Sequence, residues 1–411
     1  MAAIAEVGFD ATVDDRLARR NARLLALTQA LAGANNTVIV STGAIVGSAL
    51  APDPGLATLP ISVMVLGMWA GTVPVGVLSR SFGRRFALQT GTLFGILCGL
   101  IACLAVLQGS FSLFILGALC AGLYAAAHQS YRFAAADTAS DSFRPKAVAW
   151  VLAGGVLAGV IGPQLVIATK DAWPPTLFAA TYLAQAAVAV LAGGVLVFLK
   201  IPRPPATTHA SGGRSLKEIA RMPRFIVAVA CGVASYAMMN MVMTSAPLAM
   251  VGCGHSVTVA TLGLQWHVLG MYAPSFVTGS LILRFGVDRI IVTGLGLIAL
   301  SAAIGLAGVT VAHFWTALVL LGIGWNFAFV GATSMVTECH RPQERNKVQS
   351  FNDFLVFGAM AIGSFCSGQL LAAFGWATVN EVVFPVILAA VVLLAWLSLR
   401  NRLRVAAGKP G

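Results

Sequence analysis

The chain has 411 residues, 58% of them hydrophobic and 10% charged, with a formal net charge of +12. A water-soluble domain carries about 25% charged residues, and surface-to-volume scaling leaves such a chain too much apolar surface to hide. A soluble globular fold is excluded. The apolar residues fall in runs of about 18 or more, which is the pattern of a polytopic membrane protein.

Residues 1–22 form a polar N-terminal segment with Glu6, Asp10, Asp14, Asp15, Arg16, Arg19 and Arg20. The run that follows is too long for a cleaved leader and is expected to be an uncleaved first span. An all-α protein with twelve spans is expected. Six lie at 23–48, 58–79, 86–107, 111–132, 147–169 and 175–199; six more lie at 225–250, 258–283, 290–310, 313–337, 348–373 and 378–399. Each supplies the roughly 20 helical residues that cross a bilayer. The two groups define an N-terminal bundle over 23–199 and a C-terminal bundle over 225–399. A Pro/Gly-rich basic linker over 200–224 joins them, with a short amphipathic helix expected at Ser215–Met222, and 400–411 form a tail.

Two loops mark a repeat. Gly76-x6-Gly83-Arg84-Arg85 follows span 2, and Gly279-x6-Gly286 with Arg284 and Arg289 follows span 8, 203 residues later. Asp137-x6-Arg144-Pro-Lys146 after span 4 parallels Glu338-x6-Arg345-Asn-Lys347 after span 10, and Trp173 parallels Trp376. Asn36 in span 1 parallels Asn240 in span 7. Two pseudo-symmetric six-helix halves follow, an arrangement that places a site between them at mid-depth. With an even number of spans and a cytoplasmic N-terminus, every Lys and Arg except Lys170 lies inside. That satisfies the positive-inside rule for a cell (inner) membrane protein. The basic residues then face anionic lipid, and no nucleic-acid partner is expected. The seven cysteines show no metal spacing and no disulfide framework.

The span count, the basic linker, the internal similarity and the loop Gly76-x-Leu78-x4-Gly83-Arg84-Arg85 resemble the major facilitator superfamily over nearly the whole chain. The resemblance implies secondary transport by alternating access. In the family an Asp, four residues after the first Gly, helps latch the cytoplasmic side; here Arg80 stands there, followed by Ser81. Asp137 is the nearest alternative partner for the arginines. Gly155-x6-Gly162-Pro163 partly resembles an antiporter pattern, without its trailing glycine pair. Tyr131-Arg-Phe-Ala-Ala-Ala-Asp137 resembles a bacterial subgroup that includes riboflavin-type vitamin uptake members.

Polar residues within spans are costly and are the candidates for function. Asn36 shares a face with Gln29 and Gly33; Tyr236, Asn240 and Thr244 form a matching stripe amid Met238, Met239, Met241 and Met243. These suit a substrate cavity; interhelical hydrogen bonding is the competing reading. Tyr124 and His128 share a face in span 4, Gln265-Trp266-His267 sit in span 8, and Trp325-Asn326 sit in span 10. Aromatics with a polar edge suit a ringed organic solute, and packing explains them equally well. Arg132 belongs to this site or snorkels to the interface. Asp353 and His128 are candidates for proton coupling; Asp353 serves alternatively as a latch for Arg80, Arg84 and Arg85. A cytoplasmic gate is expected from Gly76, Arg80, Gly83, Arg84, Arg85, Asp137, Arg144, Gly286, Glu338 and Arg345. No nucleotide motif or nucleophile constellation occurs, so no cofactor, metal or enzymatic activity is expected. The expectation is a monomeric, proton-coupled transporter of a small organic solute. An efflux antiporter and a non-transporting sensor or scaffold of the same fold are the alternatives.

Overall fold

A computed structural model describes residues 15–140, 143–201, 213–341 and 344–406. Pro202, Pro204, Pro205, Arg203 and the rest of the linker up to Gly212 lie outside the described residues, as do the acidic residues before Asp15 and Lys409 in the tail. The first half comprises α1 (Asp15–Leu50), α2 (Leu59–Ser81), α3 (Arg84–Gln108), α4 (Phe111–Gln129), α5 (Tyr131–Asp137), α6 (Arg144–Thr169) and α7 (Ala179–Val197). A 3-10 turn at Pro54–Leu56 precedes α2. The linker helix α8 (Leu216–Ala220) leads to α9 (Pro223–Gly252), α10 (Val257–Tyr272), α11 (Ser275–Phe285), α12 (Val287–Ala307), α13 (Val311–Thr337), α14 (Arg345–Glu381) and α15 (Val383–Ala406). No strand occurs among the described residues.

Helices are the form such a sequence must take, because lipid offers no partner to an open backbone group. Among the described residues, ten stretches are long and apolar enough to span. The pair α10–α11, bent by 42°, makes an eleventh. One of the ten, Lys347–Leu403, is 57 residues long, covers most of α14 and α15 and is kinked at Gly375; its length is enough for the two spans expected there. The fold class is the expected one, and α8 falls on the expected amphipathic segment, with Ser215 accepting from the Glu218 N–H. Boundaries differ at the ends. α1 starts at Asp15 and α15 runs on to Ala406, because charged turns extend a helix beyond its apolar stretch.

Within the first half α1 packs on α6, α2 on α4, and α3 on α4 and α7; within the second, α9 packs on α14 and α13, and α12 on α13. Small residues allow the closest approaches. A Cβ on Gly294 would meet the backbone N of Ala328 at 2.3 Å. The repeat is visible in backbone geometry. Gly83 (φ 92°, ψ 158°) starts α3, and Gly286 (φ 88°, ψ 149°) starts α12. Only glycine adopts that region readily, so both copies of the loop turn on the same conformation.

The halves meet mainly through α2–α14, α6–α10 and α1–α9. At the end remote from the termini they are sealed. Thr58 Oγ1 donates to Ser364 O (3.0 Å), Gln369 Nε2 to Gly55 O (3.0 Å), and Gln164 Nε2 to Gln265 Oε1 (2.9 Å). Toward the terminal end they separate around a cavity.

Candidate functional site

The cavity has two parts. The deep part, about 100 Å³, is lined by both halves, including Asn36 from α1, His128 from α4, Tyr236 and Asn240 from α9, and Met360 from α14. The wider part, about 390 Å³, continues toward the terminal end past Arg132, Trp325, Phe329, Asp353 and Phe357. Gln29, Met68, His128, Gln129, Gly155, Tyr236 and Tyr272 line both, so the two form one path. A crevice of about 830 Å³ between α2 and α14 opens beside it, with Arg80, Arg84, Ser350 and Asp353 on its walls.

The wall from the second half is aromatic. Trp325 and Phe329, one turn apart on α13, stack at 5.3 Å with planes 12° apart. Tyr236 meets them edge-on at 5.1 and 4.9 Å, and Phe357 stands at 6.0 Å from Tyr236. Edge-to-face packing of this kind holds rings in fixed orientations. The wall from the first half is polar. His128 is buried, with neither ring nitrogen hydrogen-bonded, and the Asn36 Oδ1 is likewise buried and unpartnered. Asn240 is engaged, its Nδ2 donating to Met360 O at 3.2 Å. Among the described residues Asp353 is the carboxylate that lines the cavity; it is open to it rather than buried in protein, and accepts from Asn352 Nδ2 at 3.2 Å. Arg132 faces the same space, its guanidinium over the Phe133 ring.

Asn36, His128, Tyr236, Asn240, Trp325 and Asp353 therefore come together around one cavity. Four expected members do not. Trp266 is 45% exposed on the outer face of α10. It precedes the buried His267, and adjacent helical positions point about 100° apart, so both cannot face inward. Asn326 is turned away from the cavity beside Trp325 for the same reason. Its Nδ2 donates to Met271 O (2.7 Å) and Ser275 Oγ (2.6 Å), and its Oδ1 accepts from Thr278 Oγ1 (2.6 Å). It braces the α10–α11 bend, where Pro274 interrupts the helical hydrogen bonds. Gln265 pairs with Gln164 across the halves. Tyr124 lies behind His128, ring centroids 6.2 Å apart, and lines neither part. Sequence reasoning did not single out Phe329 and Phe357, although each lies one turn beyond a residue it did select, Trp325 and Asp353.

Of the gate residues, Gly76 lines the cavity and Arg80 the crevice. Arg84 Nε pairs with Asp137 Oδ2 at 2.6 Å, within the first half. Glu338 pairs with Arg224 within the second. Arg85, Arg144 and Arg345 are exposed at the terminal end.

A clasp the sequence did not reveal lies beside them. Glu344 is fully buried and accepts from Arg214 Nε (3.1 Å), Nη2 (2.8 Å) and backbone N (2.6 Å), and from Arg341 N (2.9 Å). These hydrogen bonds, with the Arg214 guanidinium first, hold its carboxyl far below the usual carboxylate range. In the first half, Asp15 at the start of α1 instead accepts from Ser140 N (3.0 Å) and Ser140 Oγ (2.8 Å). Each half thus ties the chain entering its first helix to the loop after its fourth span, with the carboxylate on opposite partners.

Comparisons with known proteins agree with this architecture. The profile of the Major Facilitator Superfamily matches residues 25–273 and 228–410. The riboflavin transporter RfnT of Brucella anthropi is 50% identical over 384 residues, covering 93% of this chain and 96% of that protein. The uncharacterized MFS-type transporter YddS of Bacillus subtilis is 28% identical, covering 87% of this chain and 86% of that one. The crystal structure of a D-xylose-proton symporter superposes with a TM-score of 0.72 at 17% identity, covering 91% of this chain and 97% of that one.

Proposed function

The chain belongs to the Major Facilitator Superfamily and is a membrane transporter, not an enzyme; from that premise we propose that it carries riboflavin, or a flavin closely like it, by alternating access. The aromatic wall of Tyr236, Trp325, Phe329 and Phe357 at the interface of the halves carries this reading. It offers a tricyclic ring system several apolar ring surfaces to pack against. The extensive identity with RfnT supports the same substrate class. The sealed remote end and the open terminal end correspond to one state of the cycle, and the reverse arrangement to the other. The Lys and Arg distribution supports a cytoplasmic position for the open end and both termini, in an inner membrane. Both parts of the cavity are lined by residues of a single chain, which supports a monomer as the working unit.

Coupling is assigned to protons. The presence of Asp353 on the path, in a cavity that Arg132 also lines, supports this reading. A carboxylate there can bind a proton on one face and release it on the other as its surroundings change. Proteoliposome flux with labelled riboflavin tests the proposal. Saturable flux, with accumulation driven by an imposed pH gradient, is expected. A folded, reconstituted protein that moves no flavin would overturn the substrate reading, and flux indifferent to the gradient would overturn the coupling.

A further inference from the structure

The two halves offer a solute different chemistry. The second half gives ring surfaces with fixed orientation. The first half gives hydrogen-bonding groups: His128, only 7% exposed with both ring nitrogens unpartnered, and Asn36 with its Oδ1 buried and unpartnered. Polar atoms shut off from water without a partner are unfavourable, and a ligand that supplies the partner removes the cost. His128 lines both parts of the cavity, so it stands between the deep polar end and the aromatic wall. The charges that line the cavity itself are balanced, and Arg80 stands beside it on the crevice wall. Arg84 is committed to Asp137, and Arg132 shares its space with Asp353. An uncharged solute suits that field.

Resting on the flavin reading above, we propose that the solute lies crosswise between the halves. Its ring system packs against the wall formed by Trp325 and Phe329 with Tyr236 edge-on to them, and its hydrogen-bonding edge is toward His128 and Asn36. A neutral imidazole has one donor and one acceptor, and an amide has both. They match a heterocycle edge on which a ring N–H stands beside carbonyls. Blocking that N–H with a methyl group removes a donor and leaves a buried acceptor of the protein unpaired. His128 and Asn36 are then the residues that select the substrate by its edge, and the aromatic wall binds any ring of that shape.

Fluorescence-quenching titrations of the purified protein with riboflavin and with 3-methylriboflavin test this. Native protein is expected to bind riboflavin at least about tenfold more tightly, since sites built to hydrogen-bond a group discriminate strongly against its absence. In His128→Ala or Asn36→Ala the preference should shrink to less than about threefold. Trp325→Leu should weaken both flavins by a similar factor of about ten and keep the preference, because stacking does not read the edge. Equal binding of the two flavins by native protein overturns the edge assignment without needing any variant. A preference that survives in both His128→Ala and Asn36→Ala overturns it as well, and unchanged binding in Trp325→Leu overturns the ring placement. A folded native protein that binds neither flavin overturns the flavin reading itself.

Discussion

Asp353 shows how much one side chain is asked to do. Among the described residues it is the carboxylate on the path; it lines the cavity together with Arg132 and the crevice together with Arg80 and Arg84. If it carries the coupling proton, Asp353→Asn fixes the neutral form permanently. Accumulation against a gradient should then be lost and the pH dependence of flux should flatten, while riboflavin exchange down its own gradient stays within about threefold of native. Loss of exchange together with accumulation would instead make Asp353 part of the binding site. A second residue-scale prediction concerns Gly83, whose φ of 92° and ψ of 158° no other residue adopts without strain. Gly83→Ala should cost about 1–3 kcal/mol, measured as a lower melting temperature. The copy at Gly286 shares the conformation, so Gly286→Ala should behave alike.

At the scale of the element, span positions and the repeat were legible in the sequence, because apolar runs and glycine-marked turns are local signals. Side-chain direction was legible only in part. Gln265-Trp266-His267 could be placed at mid-depth, but which residue turned inward depended on the packing of α10 against α13. The same holds for Trp325 and Asn326, neighbours with unrelated tasks. The Arg214–Glu344 clasp was invisible for another reason: it joins residues far apart in sequence, and nothing local marks Glu344 as buried. Its effect on stability has a definite sign. The folded-state pKa of Glu344 lies below that of an unfolded glutamate, about 4.3. The stability it contributes is therefore fully present at neutral pH and is lost as pH falls through the lower, folded-state value. Glu344→Gln should lower the melting temperature at pH 7, and the gap from native should narrow on acidification. Arg214→Ala should add little to it, since the two act as one unit. Additive losses at pH 7 would show that Arg214 stabilises the loop by other contacts, such as its bond to Cys339 O.

The whole molecule has a seal at one end and a crevice at the other. In the alternating-access cycle proposed above, with Asp353 as the proposed coupling site, closing the terminal end would bring α2 toward α14, and so Arg80 on one wall toward Asp353 on the other. In this chain the basic residue stands on α2 and the acid on α14, so closure is favoured by opposite charges across the halves. Protonating Asp353 would weaken that attraction, which links the coupling site to the gate by simple electrostatics. Arg80→Asp would set two carboxylates facing each other. Closure should become less favourable, and the population open at the terminal end should rise. A cysteine placed at Ser350 should then react faster with a water-soluble thiol reagent applied from the side of the termini, by about threefold or more if the shift approaches 1 kcal/mol. Arg80→Lys should keep the native rate, since it keeps the charge. Equal labelling in native protein, Arg80→Asp and Arg80→Lys would mean that this loop sets topology and takes no part in closing the transporter.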